Sequence, residues 1–393
     1  MNGTLLTLNA GSSSIKFALF AQDAPATKAT ISGKIAGIGT APVFSARDAI
    51  GNPLAKGQLD KLAPTSSHEQ LIALLLPWLE RHQGNMPLVV VGHRVVHGGT
   101  AFKSPTRITE KVMAALEALV PLAPLHQPHN LAAIRAVEKW RPGLPQIACF
   151  DTSFHRDQPR LAQLFALPRA LSDEGILRYG FHGLSYDYIA SVLPDYLGDQ
   201  AEGRVIVAHL GNGASLCAMQ HRKSVATSMG FTALDGLMMG RRCGTLDPGV
   251  ILYLLQQKGM DAAMIEDLLY RQSGLFGVSG LSNDVHVLQA SDAPHSREAI
   301  DLFCYRAASL LAGLVPTIGG LDAVVFTAGI GENSALVRQS ICDQLAWLGL
   351  SLDAKANAEN ATQISTPQSQ VTVLVLPTNE EATVAKACRR YLS

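Results

Sequence analysis

The chain carries no excess charge of either sign. Its 393 residues include 32 lysines and arginines and 32 aspartates and glutamates, so the formal net charge is zero. A protein that binds nucleic acid through its phosphates usually shows a basic excess or a basic stripe. Blocks of like charge, typical of solvating tails, are missing too. The charge balance therefore argues against a nucleic-acid partner.

Cysteine is scarce, and its spacing fits no known pairing pattern. The six cysteines form no Cys-x-x-Cys pair and no Cys/His group with the spacing of a zinc site. Disulfides persist mainly in oxidising compartments. The sequence therefore predicts six free thiols in a reducing compartment.

Long hydrophobic runs are also missing. The longest uncharged stretch, 307–321, contains Pro316 and the pair Gly319-Gly320, and it is shorter than the roughly 20 residues that a membrane span needs. The opening residues, MNGTLLTLNAGSSS, lack the positive region and the apolar segment of a signal peptide. We expect a soluble cytoplasmic protein without membrane association, in which 307–321 forms a buried helix that ends in a turn.

What the sequence does have is enough apolar material for two cores. Hydrophobic residues make up 47% of the chain, and single cores stop growing at roughly 250–300 residues. Strand-like and helical segments alternate, which predicts an α/β protein. We place one domain at 1–150, a second at 151–377, and return the C-terminal helix 378–393 to the first domain.

Two capping boxes mark helix starts. Ser67-His68-Glu69-Gln70 precedes a helix with leucines on one face, and Thr378-Asn379-Glu380-Glu381 precedes the last helix. Pro77 lies inside the first of these helices and is expected to kink it.

Three polar turns interrupt apolar segments. Residues 9–14, NAGSSS, read as a hairpin turn whose backbone N–H groups and hydroxyls could hold phosphate, with Lys16 as a point charge. A Walker A loop is excluded because the turn has no Gly-Lys pair and no helix after it. A plain hairpin is an equally good interpretation of this turn alone.

The second half of the chain repeats the pattern. Residues 205–219 place Gly211-Asn212-Gly213 between two apolar runs, and Asn-Gly is a strong hairpin signal. In 324–341 a strand runs through Gly329-Ile330-Gly331 into a helix capped by Asn333 or Ser334, an arrangement that suits a nucleotide. Together the three turns indicate an internal duplication.

Charged residues near strand ends and glycines are candidates for chemistry. Arg94 lies in GHRVVHGG, and Asp151 follows the apolar strand QIACF, where ligands of open α/β sheets bind. Arg242 lies between glycines, where an anion clamp is more plausible than packing. A surface arginine and a helix N-cap are the structural alternatives for Arg94 and Asp151. His182 has a structural alternative, and Glu380 has the alternative of a helix-dipole partner.

These segments, in this order, resemble the acetate/propionate kinase family, within the superfamily of sugar kinases, Hsp70-type chaperones and actin. The resemblance runs from Asn9 to Glu381. The matching motifs are NAGSSSIKF, GHRVVHGG, FDTSFH, YGFHGLS, HLGNGAS, MGFTALDGLMMGRRCGTLDPG, FTAGIGENS and PTNEE.

The resemblance implies an α/β fold of two duplicated ribonuclease-H-like (actin-like ATPase) domains with a cleft between them, assembled as a homodimer. It implies reversible transfer of the γ-phosphoryl group of ATP to a short-chain carboxylate, giving an acyl phosphate and ADP. Acetate is the expected acceptor and propionate the alternative. Mg²⁺ is the expected metal, with Mn²⁺ as a substitute.

The resemblance also assigns site residues, motif by motif. Catalytic positions are Asp151, His182 and Arg242; substrate-binding positions are Arg94, Val96, His126, Phe181 and Ala233; metal positions are Asn9 and Glu380. Nucleotide positions are Ser12, Ser14, Lys16, His209, Leu210, Gly211, Asn212, Gly213, Asp284, Val285, His286, Gly329, Ile330, Gly331, Glu332 and Asn333.

The chemistry of a carboxylate acceptor fits these assignments. A carboxylate is ionised at pH 7 and needs no general base, so the obstacle is repulsion between two anions. Phosphoryl transfer then depends on positioning and charge neutralisation. We therefore interpret Asp151 as a residue that orients the acceptor or a metal-bound water.

Four positions depart from the family pattern. Arg241 stands where the family usually has Thr, and Thr245 where it has Asp or Asn. His286 replaces an Arg next to the nucleotide, so nucleotide preference is open. Ala233 replaces a Pro of the acyl pocket and would admit a longer chain, whereas Val96 keeps the bulk associated with acetate.

Two further classes stay as alternatives. A sugar or glycerol kinase would phosphorylate a hydroxyl group, and the arginines argue against it. A non-catalytic ATP-binding protein of the actin or Hsp70 type would need a peptide-binding domain or polymerisation inserts, for which 393 residues leave no unassigned region.

Overall fold

The structure is a computed structural model that describes residues 3–11, 13–25, 27–84 and 86–392. Its strands are β1 Thr4–Ala10, β2 Ser14–Ala21, β3 Ile31–Ala36, β4 Val43–Asp48, β5 Leu88–Val95, β6 Thr106–Arg107, β7 Gln146–Phe150, β8 Arg204–Leu210, β9 Ala214–Gln220, β10 Lys223–Thr227, β11 Ala323–Thr327 and β12 Thr372–Val375. Its helices are α1 His68–His82, α2 Glu110–Glu117, α3 Gln127–Trp140, α4 Arg160–Gln163, α5 Arg169–Asp173, α6 Gly183–Leu197, α7 Pro248–Gln256, α8 Ala262–Arg271, α9 Gly274–Ser279, α10 Val285–Gln289, α11 Pro294–Leu314, α12 Ala328–Asn333, α13 Ala335–Gln344, α14 Ala354–Ala358 and α15 Glu380–Leu392.

The chain divides into two compact units. Unit 1 comprises Met1–Arg156, Gly183–Tyr188 and Asn379–Ser393, and unit 2 comprises Asp157–His182 and Ile189–Thr378. Each unit contains one mixed β-sheet.

Unit 1 contains a seven-stranded sheet in the order β4-β3-β2-β1-β5-β7-β6. β1, β5 and β7 are parallel neighbours, whereas β2, β3 and β4 continue from β1 as an antiparallel meander. One face packs on α1 through the rings of Phe17, Phe44 and Trp78. The other face is covered by α15 through Val384, Ala385 and other apolar residues.

Unit 2 contains a five-stranded sheet in the order β10-β9-β8-β11-β12. β8, β11 and β12 are parallel, and β9 and β10 form the antiparallel meander. The order β3-β2-β1-β5-β7 of unit 1 therefore recurs here strand for strand. The fold is the α/β, duplicated, actin-like ATPase type, and the expectation of a duplication is confirmed.

The local predictions hold at most element ends. Ser67 forms the predicted capping box with Gln70, and α1 continues through Pro77 to His82. At the last helix the cap differs from the prediction, because Asn379 Oδ1, and not Thr378, accepts a hydrogen bond from Ala382 N at 2.9 Å. The glycine turn after β11 also differs, because Gly329–Gly331 are part of the short helix α12.

The predicted buried helix near 307–321 is α11 with the turn that follows it. α11 ends at Leu314, and a 3-10 turn, Val315–Ile318, follows. The segment Pro294–Ile318 is long and apolar enough to cross a membrane, a test that core helices of soluble proteins also pass. Ile300, Phe303 and Leu311 are buried within the protein.

All six cysteines are free thiols. Five are buried, and Cys243 is half-buried. Burial raises the pKa of Cys217 to about 12, with a hydrogen bond to Ser224 opposing it, and raises the pKa of Cys388 to about 12. Thiols of this kind are unreactive.

Candidate functional site

Three parallel strands of unit 1 end at one edge of its sheet and bring the predicted side chains together. Asn9 lies one residue before the end of β1, Arg94 one before the end of β5, and Asp151 follows β7. Because carboxyl ends of parallel strands meet at the same edge, these residues lie side by side. We call Asn9, Arg94, Asp151 and Glu380 the charged cluster.

Arg94 is the centre of the charged cluster. Its Nε donates to Asp151 Oδ1 at 2.9 Å and its Nη2 to Asp151 Oδ2, a bidentate pair. Its Nη1 donates to Asn9 Oδ1 at 3.1 Å. A guanidinium has five N–H donors, so these three hydrogen bonds, counted over the residues that the structure describes, leave two with which Arg94 could bind a carboxylate.

Glu380 enters the cluster from the first turn of α15. Its Oε2 accepts from Asn9 Nδ2 at 3.3 Å and lies 3.9 Å from Arg94 Nε. Burial opposes the charge of Arg94, but Asp151 and Glu380 outweigh it and raise the pKa of that guanidinium. Burial, then the neighbouring Glu380, raises the pKa of Glu381. The cluster thus holds a permanent cation among carboxylates.

The first polar turn is a hairpin, as predicted. Asn9 and Lys16 are direct partners in the β1–β2 register, so Lys16 lies one strand away from the charged cluster. Ser14 begins β2, and its carbonyl accepts from Gly11 N at 2.8 Å. Ser12 lies outside the described residues.

The predicted substrate residues of unit 1 flank the same edge. Val96, next after β5, is 3% exposed, and its N–H donates to the side chain of Asn130 at 3.0 Å. His126 precedes the first turn of α3 and is half-buried. Asn130, to which the sequence drew no attention, connects this region to the end of β1.

In unit 2, two predicted histidines stack on each other. The rings of His182 and His209 lie 4.2 Å apart at an angle of 18°. His182 has a left-handed backbone, φ 58°, before α6, and its Nδ1 is 2.8 Å from Ser215 Oγ. A Cβ atom at Gly213 would lie 3.2 Å from His182 Nε2, so this glycine keeps the imidazole accessible to the turn.

The arginine loop reaches the same turn. A Cβ atom at Gly213 would lie 3.9 Å from Arg242 Nη1, an atom that donates to the Ala233 carbonyl at 3.0 Å. Arg241 lies over the Phe276 ring at 4.2 Å. Thr245 donates to Asp235 at 2.8 Å. The two departures beside Arg242 therefore serve contacts within unit 2.

The third glycine turn is braced by its own side chains. Glu332 Oε1 accepts from Ala328 N at 2.8 Å and from Thr378 N at 3.1 Å, and Asn333 Nδ2 donates to the Gly329 carbonyl at 2.8 Å. Ala328 has a left-handed backbone, φ 65°. A Cβ atom at Gly329 would meet nothing within 4 Å, so this turn presents an open backbone.

The remaining predicted residues of unit 2 divide between surface and core. Asp284 caps α10 through the His286 N–H at 2.9 Å, and His286 is exposed. Asn212 accepts from Asn283 at 2.9 Å. The side chains of Leu210, Phe181 and Val285 are buried.

Oxygen atoms of the charged cluster suit a hard cation. Mg²⁺ is usually held by one or two carboxylates together with substrate phosphates. Within the described residues no group of three or more His, Cys, Asp or Glu is arranged to hold a metal ion. The donors of Asn9 and Glu380 therefore fit a Mg²⁺ ion shared with phosphate oxygens better than an all-protein site.

Comparison with known proteins decides the family. The model of the acetokinase family matches residues 4–386. The chain belongs to this family. The acetate kinase of Rhodopseudomonas palustris is 54% identical over 392 residues, 98% of each chain, and that of Rhizobium meliloti is 46% identical over 97% of this chain and 96% of its own.

Solved structures of the family share the fold. The Porphyromonas gingivalis acetate kinase has a TM-score of 0.87 at 34% identity and full coverage of both chains. A propionate kinase of Francisella tularensis has a TM-score of 0.90 at 35% identity and 98% coverage of both. As a member of the acetokinase family, the protein is an ATP-using phosphotransferase, and the enzyme class and fold expected from the sequence are confirmed.

Proposed function

We propose that the protein transfers the γ-phosphoryl group of Mg-ATP reversibly to the carboxylate of acetate, giving acetyl phosphate and ADP. The observation that supports this acceptor best is the charged cluster. A bidentate arginine with spare N–H donors is what a small carboxylate needs, and it would be of little use to a hydroxyl group.

Arg94 holds the acceptor in this proposal. Its two N–H groups outside the cluster donate to the acetate oxygens and cancel part of the repulsion between acetate and phosphate. Asp151 fixes the plane of the guanidinium through both oxygens, which limits the directions from which a carboxylate can approach. Its role is thus to orient and not to remove a proton, since the acceptor has none to lose at neutral pH.

Cations and donors around the phosphates carry the rest of the proposal. Lys16 neutralises phosphate oxygens, and the serine turn, with Ser12 and Ser14, donates hydrogen bonds to them. His182 and Arg242 stabilise the charge of the transferring group. A bound Mg²⁺ would neutralise the phosphate oxygens further, and Asn9 and Glu380 are the residues that would hold it. The glycine turns 209–213 and 329–333, with the 284–286 segment, contact the nucleotide.

Acetate is the proposed acceptor because Val96 narrows the pocket, with Ala233 as the residue that would favour propionate. His126 and Phe181 complete the acyl-binding residues of the proposal.

The domain division at residue 150, with the helix 378–393 assigned to the first domain, also stays a prediction.

A homodimer is the proposed assembly, and helix α7 supports it. None of its nine residues is buried, although the helix reads PGVILYLLQ. Leu252 and Tyr253 are 54% and 52% exposed. An apolar surface of this kind usually marks a protein interface, and a second copy of the chain is the partner proposed here. We place the enzyme in the cytoplasm.

The test is acyl phosphate formation, trapped with hydroxylamine, from Mg-ATP and acetate, propionate or butyrate in parallel. Acetate is expected to react best. A preference for propionate would leave the reaction in place and assign specificity to Ala233. No product with any acid, from folded protein that binds ATP, would overturn the proposal.

Light scattering of the same sample measures the mass of the particle in solution. A monomer would refute the proposed homodimer.

A further inference from the structure

Asn130 is a buried amide that bridges two strand ends. It lies in the first turn of α3 and is 1% exposed. Its Nδ2 donates to the Ala10 carbonyl at 2.7 Å, and its Oδ1 accepts from Val96 N at 3.0 Å. One side chain therefore satisfies a backbone acceptor at the end of β1 and a backbone donor just after β5.

These two backbone groups adjoin the charged cluster. Ala10 follows Asn9, and Val96 lies two residues after Arg94. The parallel register of β1 and β5 ends at the pair Leu8 and His93. Beyond that pair the strands are joined by the Asn130 amide, together with the Arg94–Asn9 hydrogen bond of 3.1 Å.

We propose that Asn130 is a positioning residue for the acceptor. It fixes the distance between the ends of β1 and β5, and so the place at which Arg94 presents its N–H groups beside Val96. This inference rests on the proposed function. The effect acts through Arg94 and Val96, because both hydrogen bonds of Asn130 go to the backbone.

An uncharged amide can do both tasks at any pH, because it carries a donor and an acceptor. Alanine would leave the Ala10 carbonyl and the Val96 N–H buried without their partner, a costly state. Aspartate keeps the acceptor for Val96 N, but its second oxygen would face the Ala10 carbonyl. Only when protonated could that oxygen donate as the amide does, and burial raises the pKa of a carboxyl group.

The experiment compares Asn130→Ala and Asn130→Asp with wild type in steady-state kinetics. We expect kcat/KM for acetate to fall by about 10- to 100-fold in N130A, since a displacement of 1 Å can cost that much, while KM for ATP stays within about twofold. The kcat/KM for acetate of N130D, divided by that of wild type at the same pH, should rise as the pH is lowered from 8 to 6. The same ratio for N130A should stay constant.

Ratios at each pH are needed because other groups titrate nearby. His126 and His129 lie beside Asn130 in sequence, His68 of α1 stacks on His129 at 4.1 Å, and His93, Arg94 and His97 belong to the β5 segment. All of these are present in wild type and in both variants, so the ratio isolates the new carboxyl group.

Gln146→Ala is the matched control. Gln146 is another buried amide of unit 1, bonded to His93 and Glu138 side chains, and its loss should lower stability without changing KM for acetate. The positioning role would be overturned if kcat/KM in N130A fell equally for acetate and for ATP. It would also be overturned if the kcat/KM of N130D relative to wild type did not rise at low pH. Wild type without acetyl phosphate would instead refute the proposed function.

Discussion

The hairpins that open the two sheets have the same backbone and different chemistry. In β1–β2, Asn9 pairs with Lys16, and in β8–β9, His209 pairs with Ser215. Each first residue lies two positions before a glycine, Gly11 or Gly211, at the turn. The same corner of a duplicated fold thus carries an amide and an ammonium in unit 1, and an imidazole and a hydroxyl in unit 2.

The neighbouring strand extends the contrast. β5 brings Arg94 beside Asn9, whereas β11 places Thr327 against His209. Unit 1 therefore brings formal charges together at its strand ends, and the hairpin of unit 2 brings together hydroxyl groups and a stacked histidine pair. Topology fixes where a side chain can meet a ligand, and the residue at that place decides what the ligand can be.

The largest expected effect comes from removing the charge in unit 1. Arg94→Ala should lower kcat/KM for acetate by about 10²- to 10³-fold. It should also destabilise the protein by about 3–5 kcal/mol, because the buried Asp151 loses its ion pair with Arg94. Arg94→Lys keeps the charge and loses the bidentate geometry. We expect this variant to recover more of the free energy of unfolding than of kcat/KM for acetate. A lysine variant with normal kinetics would show that charge alone suffices.

A smaller effect concerns how the stability of the protein depends on pH through a histidine of unit 1. Burial lowers the pKa of His93 to about 4, against the weaker opposing effect of the hydrogen bond that the ring donates to Gln146 Oε1. The folded state therefore favours the neutral ring, whereas the unfolded state protonates it below its ordinary pKa of 6.5. The folded state is thus fully stable above pH 6.5 and loses stability as the pH falls to 4. The free energy of unfolding should drop by about 3 kcal/mol from this residue.

His93→Gln should flatten that pH dependence in denaturant titrations at pH 7, 5.5 and 4. His97 of unit 1 behaves like His93: burial, then Arg156, lowers its pKa to about 4. Both histidines belong to unit 1, so this unit is expected to contribute to the acid sensitivity of the protein. An unchanged slope in the variant would contradict a buried neutral His93.

The smallest effect concerns the hairpin of unit 2. Ser215→Ala removes the hydroxyl 2.8 Å from His182 Nδ1, and kcat should fall by no more than about tenfold, the value of one hydrogen bond. Ser224→Ala, whose Oγ accepts from Gln158 at 2.7 Å on β10, is the control and should leave kcat unchanged. A larger loss in the first variant would mean that His182 orientation matters as much as the charges of unit 1.

Local signals predicted the backbone of these sites well. The turns at Gly11 and Gly211 are hairpins because polar glycine turns between apolar runs have few other solutions. Ser67 caps α1 because a capping box satisfies free N–H groups. The repeat of the two hairpins also indicated the duplication. Such features depend on a few neighbouring residues, so the sequence contains them.

Features that depend on distant partners were not predictable. Asn130 is 120 positions from Ala10 in the chain, and an asparagine near a helix start gives no sign of such a contact. Two glycines, Gly329 and Gly331, would by themselves argue against a helix. The segment is helical because Glu332 and Asn333 hydrogen-bond to its backbone. At the last helix the sequence predicts a capping box that begins at Thr378, whereas Asn379 accepts from Ala382 N. The backbone N–H of Thr378 instead donates to Glu332, which is 46 positions away in the chain.

The distribution of thiols has a practical consequence. Because five of the six cysteines are buried and Cys243 is half-buried, a maleimide reagent applied to the native protein should react first at Cys243. The reaction should be slow, since burial raises the pKa of this thiol. Cys243 is next to Arg242, so a fluorophore or spin label attached there would report on the arginine loop as ligands bind.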